Sequence, residues 1–111
     1  MQLNVIDISY ELEDEEGLSY LFFKAEDGYF TISRLVEDEK LYMELNNQSN
    51  GEYIDPIYFE YSVRNGKIMF YVNENRTWNL GIYQNITLLF EPISLDVFRE
   101  IGQVIKKIFK T

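Results

Sequence analysis

Apolar and polar residues alternate through much of the chain, the period-two pattern of strands that bury one face. Leu3 to Tyr10 (LNVIDISY) alternates in part and reads as a first strand. LSYLFFK (Leu18–Lys24) and YFTISRL (Tyr29–Leu35) follow, and Asp27-Gly28 between them suits a two-residue hairpin turn, because Gly relieves the cost of positive φ. That register sets Phe23 opposite Ile32 and Ala25 opposite Phe30. LYMEL (Leu41–Leu45) alternates again with Leu41, Met43 and Leu45 inward, and Asn-rich Asn46–Gly51 is a turn by composition. PIYFEYSV and KIMFYV flank Asn65-Gly66, the strongest hairpin signal in the chain. Pairing across it sets Val63 against Ile68, Tyr61 against Phe70 and Phe59 against Val72, all on the core face. Pro56 fits the start of that strand, where its missing N–H matters least. Asn73–Gly81 reads as irregular or a short helical turn, and Ile86–Glu91 as the last strand.

The C-terminal stretch changes period. Leu95, Phe98, Ile101, Ile105, Ile108 and Phe109 recur at helical spacing. Ser94, just after Pro92, suits the N-cap. Asp96 near the start and Lys106, Lys107 and Lys110 near the end complement the helix dipole. Together the elements predict an α+β, β-rich fold: a twisted antiparallel sheet of six or more strands built from hairpins, with one C-terminal helix packed on a face. No repeat or linker divides the chain, so residues 1–111 are expected to form a single domain.

Composition narrows the chemistry. With 46% hydrophobic and 16% aromatic residues in 111, the chain can bury a core without disulfides or metal staples and is unlike a disordered acidic protein. No apolar run approaches the roughly 18 residues of a membrane span, and Met1–Asn4 lacks the basic start of a signal peptide. The expectation is a cytoplasmic protein that does not engage membranes. There is no His and no Cys, which removes thiol nucleophiles, Ser–His hydrolysis and the usual zinc sites. The net charge of −9 is uneven: residues 1–62 hold 15 acids against three bases (−12), residues 63–111 four acids against seven bases (+3). Such an acidic half repels nucleic-acid phosphates and attracts cationic proteins.

The acids cluster in two places. Glu11, Glu13, Asp14, Glu15 and Glu16 fall within six residues, between strands. Counted as an EF-hand loop from Glu11, the sixth position is Glu16 where Gly is needed, and the flanks are strands where helices are needed. A solvated connection that keeps Tyr/Phe-rich strands soluble is the plain reading; a partner-binding patch is the functional one. Glu37-Asp38-Glu39-Lys40 contains the acid-x-Lys triplet of magnesium-dependent nucleases, with Asp27 upstream, yet such triplets abound in charged turns. Glu44 and Glu60, outward on candidate neighbouring strands, form the one conceivable glycosidase pair, which would need carboxyls roughly 5–9.5 Å apart. Trp78 reads either as a ligand-stacking ring or as a seal at the end of the core. No Gly-rich phosphate loop is present. No catalytic, cofactor or metal residue is therefore assigned.

Tyr42 with Glu44, Asn47-Gln48, Gly51 with Tyr53, Leu80-Gly81 and the Phe90-to-Phe109 ending occur in an order similar to the immunity protein 10 family of bacterial polymorphic-toxin systems. The resemblance covers about residues 41–109, with Tyr53-Ile54-Asp55-Pro56 where family members carry a Gly-rich turn. It implies a small, non-enzymatic cytoplasmic antidote that neutralises a cognate protein toxin by stoichiometric binding. A basic nuclease toxin would suit the acidic half. On that reading the partner surface draws on Glu11, Glu13, Asp14, Glu15, Glu16, Glu37, Asp38, Glu39 and Glu44. The alternatives are a general interaction or structural module without a toxin and, third, a carboxylate-based hydrolase.

Overall fold

The computed structural model describes residues 1–46, 51–72 and 85–110. Among the described residues eight strands form one sheet: β1 (Gln2–Glu11), β2 (Leu18–Ala25), β3 (Gly28–Leu35), β4 (Leu41–Leu45), β5 (Glu52–Ile54), β6 (Phe59–Arg64), β7 (Lys67–Val72) and β8 (Asn85–Leu89). A 15-residue helix, α1 (Leu95–Phe109), follows. The strand order is β5-β4-β3-β2-β1-β8-β7-β6. This is the expected α+β class with a single helix packed on the sheet. The sheet is mixed where an antiparallel one was expected, because β1 and β8, beside the central β2–β1 pair, run parallel. The four residues 47–50 of the Asn-rich turn, and Asn73–Gly81 with Trp78, lie outside the described residues.

The sheet is strongly curled. Four strand spacings separate β3 from β7, about 19 Å along a sheet, yet the rings of Phe30 and Phe70 lie 5.7 Å apart. The two wings therefore face each other, and their inward residues build one core: Leu21, Phe23, Phe30, Ile32, Leu41, Met43, Ile68, Phe70, Ile86 and Leu88 are all fully buried. The helix closes this interior, packing mainly on β2. Phe109 at its end meets Tyr61 (4.8 Å), Phe70 (6.0 Å) and Phe59 (6.5 Å) between ring centroids. None of the described helices is long and apolar enough to cross a membrane.

The β6–β7 hairpin pairs as the sequence predicts, Phe59 with Val72, Tyr61 with Phe70 and Val63 with Ile68, around Gly66 at φ 99°. Asn65 adds a tether: its side chain donates to Ile93 O (2.8 Å) and accepts from Ile93 N (2.9 Å), which fixes the chain between β8 and α1. The β2–β3 hairpin differs from expectation. Its two-residue loop is Glu26-Asp27, so Phe23 faces Phe30 and Ala25 faces Gly28. Gly28 lies inside the ladder because Asn46 Oδ1 accepts from Tyr29 N (3.0 Å), and a Cβ on Gly28 would stand 1.9 Å from that oxygen. The shift preserves parity, so the same residues still face inward.

Two further expectations are corrected. Pro56 does not begin a strand: Asp55 accepts from Ile57 N and caps a 3₁₀ turn, Pro56–Tyr58, which joins β5 to β6. On α1, Ser94 caps as expected, but Leu95 is 59% exposed and Phe98 only partly buried. The buried stripe is Ile101, Val104, Ile105, Ile108 and Phe109. At its N-terminal end Val97, one residue round from Phe98, packs on the core.

Candidate functional site

Antiparallel pairing of β1–β2 and of β3–β4 puts both acidic connections at the same end of the sheet. The two loops are bonded directly, Val36 N donating to Gly17 O at 2.9 Å. Asp14 shapes the first of them. Its Oδ1 accepts from Glu16 N and Leu18 N (both 2.9 Å), while Gly17 turns the chain at φ 84°. Ser19 Oγ, buried, donates to Leu12 O (2.7 Å) and holds the loop against β2. Glu11, Glu15 and Glu16 point to solvent, and Glu13 pairs with Lys107 of the helix.

The second loop is held by a residue whose role the sequence reading missed. Arg34 is 6% exposed and occupies an inward position on β3, in line with Phe30 and Ile32. Its Nε donates to Asp38 O (2.9 Å), Nη2 to Glu39 O (2.8 Å) and Nη1 to Ile108 O (2.7 Å). One guanidinium thus clamps the β3–β4 loop to the C-terminal end of the helix, where exposed carbonyls carry partial negative charge. Burial lowers the Arg34 pKa, while the charges of Asp55, Asp38 and Glu39 act to raise it. Since the loop is held through its carbonyls, the carboxylates of Glu37 and Glu39 stay outward and Asp38 is half-buried.

Apolar residues lie exposed among these acids. Leu12 is 44% exposed, Leu35 37% and Val36 54%, with Val36 against the bare Cα of Gly17. Tyr53, 60% exposed, borders the same depression as Glu37, Asp38, Glu39 and Lys40. The sequence held the signals. Leu35-Val36 are consecutive apolar residues ending an alternating strand, so one must face out, and Leu12 sits between two glutamates.

Glu44 stands elsewhere. It lies on the outer face of β4, three residues or about 10 Å along the strand from Leu41, and accepts hydrogen bonds from both Tyr29 and Tyr42. The Tyr42 bond measures 2.7 Å and pushes that phenol's pKa up to about 12. Tyr42 packs on Tyr53 with ring centroids 5.0 Å apart, and Phe22 stacks on Tyr29 at 5.1 Å. Glu44 therefore organises an aromatic outer face that leads to the acidic end through Tyr53.

The hydrolase geometries do not assemble. Glu60 lies on β6 at one edge of the sheet, whereas β4 stands one strand from the other edge, so these strands are not neighbours. Asp27 sits in the β2–β3 turn, at the opposite end of β3 from Glu37–Lys40. Among the described residues no group of three or more acids is arranged to hold a metal ion. In comparisons with family models, curated proteins and solved structures, none matches this chain.

Proposed function

We propose that the chain is a toxin-neutralising immunity protein, a non-enzymatic cytoplasmic inhibitor that binds a basic protein toxin through the acidic end of its sheet. The observation that carries this reading is the direct bond between two acidic loops, each of which also exposes aliphatic residues: Leu12 on the first, Leu35 and Val36 on the second, beside Lys106, Lys107 and Lys110 of the helix. An apolar centre with a charged rim is the anatomy of a protein interface. On this reading the acids speed encounter with a cationic partner, and the exposed aliphatic residues of the same loops slow its release.

Co-expression with the adjacent open reading frame tests the reading, scored as rescue of growth and co-purification in a one-to-one complex. Leu12→Ser combined with Val36→Ser should keep the fold, both side chains being exposed, and should weaken rescue and shorten the lifetime of the complex. Absence of rescue by the unaltered chain would remove the proposal.

A further inference from the structure

The outer face of the sheet carries an exposed tyrosine ring beside the acidic loop. Tyr53 presents an exposed ring at the border of a depression of about 520 Å³, whose other walls are Glu37, Asp38, Glu39 and Lys40. The walls carry three carboxylates and one lysine, with Arg34 and Lys110 bonded to carbonyls of the same loop and Asp55 also facing Arg34, so a modest negative excess is left. The ring is held in place: Tyr42 packs against it at 5.0 Å, and the Tyr42 hydroxyl is fixed by Glu44. Gly51 permits this arrangement, because a Cβ there would stand 1.8 Å from the Tyr42 oxygen.

We propose that Tyr53 and the Glu37–Glu39 loop form a seat for an arginine side chain of the protein partner. This rests on the partner being basic, as proposed above. A planar guanidinium stacks on a tyrosine face and forks onto a carboxylate at the same time. An ammonium can sit over a ring too, but it is compact and strongly hydrated and has neither the planar stacking surface nor the fork. The seat thus reads the kind of cation, whereas the acidic loops read only its charge. Glu44 acts at one remove, positioning Tyr42 and through it Tyr53.

The test uses nine-residue oligo-arginine and oligo-lysine peptides, with binding measured across a salt series. The native chain should bind the arginine peptide more tightly, by up to about two- to fivefold, the full worth of a cation–π contact at an exposed site. Tyr53→Ala should erase the preference while leaving salt-sensitive binding of both peptides. Tyr53→Phe should keep it, and circular dichroism checks that each variant is folded. Equal binding of the two peptides by the native chain, or a preference that survives Tyr53→Ala, would overturn the arginine seat while sparing the acidic surface. Failure of both peptides to bind in a salt-dependent way would overturn both readings.

Discussion

Arg34 shows how one side chain couples stability to the geometry of a surface. Its donors meet three backbone carbonyls from two distant parts of the chain. Arg34→Met would leave those carbonyls without their donor in a buried site, at about 1–3 kcal/mol for each unsatisfied group that water does not reach. We expect a total loss of about 2–4 kcal/mol in denaturant unfolding, with Arg34→Lys intermediate, since one ammonium lacks the span of the fork. A loss under about 0.5 kcal/mol would show that the clamp is not needed. Tyr42 offers a second test at this scale. Its pKa is raised from the usual 10.0 to about 12 chiefly by the hydrogen bond to Glu44. A raised folded-state pKa means that the stabilisation is complete below pH 10 and is lost as pH climbs towards 12. Alkaline titration followed by phenolate absorbance should show this late tyrosine, and Glu44→Gln should return it towards 10. An unchanged titration would contradict the bond.

The elements were legible to different degrees, for physical reasons. Helix α1 announced its length through Ser94 and its 3.6-residue period, and β6–β7 announced its register through Asn65-Gly66, because these signals are local. The three-residue β5 carries too little alternation to stand out, and Pro56, expected to start a strand, opens a 3₁₀ turn because Asp55 caps it. The parallel β1–β8 pairing joins residues more than 80 positions apart, and periodicity reveals faces without naming neighbours. On the helix, Phe98 stands out as the largest apolar residue of the first turns, although the buried stripe starts at Ile101 and half-buried Val97 is the one packed on the core. Ile105→Ala should therefore cost about 2–5 kcal/mol and Phe98→Ala only about 1 kcal/mol. Equal costs for the two in urea unfolding would show that this face is misplaced. The acidic loops were legible as charge. Their meeting at one end followed from strand pairing, and their apolar centre from Leu12, Leu35 and Val36, which the alternation alone left without a face.

At the scale of the whole molecule, the division of charge along the sequence is not a division in space. The helix carries Lys106, Lys107 and Lys110 back to the acidic end, where Lys107 pairs with Glu13 and Lys110 Nζ donates to Asp38 O. The −12 balance of residues 1–62 is thus partly offset where it matters most. Replacing Lys107 by Gln should accelerate association with a cationic partner while shifting stability by less than about 1 kcal/mol, the usual range for an exposed pair. A slower association would show that this lysine belongs to the interface itself. The central claim is that the acidic end meets a cationic protein, and association kinetics with the co-purified partner test it most directly. Charges on this surface are screened over roughly 8 Å at physiological salt. The association rate should therefore fall as salt rises, and fall further when Glu37, Asp38 and Glu39 together become neutral amides. That triple change should lower melting temperature only modestly: Arg34 keeps its bonds to the backbone carbonyls and still faces Asp55, although it loses the charges of Asp38 and Glu39. An association rate indifferent to both salt and the triple change would contradict the account.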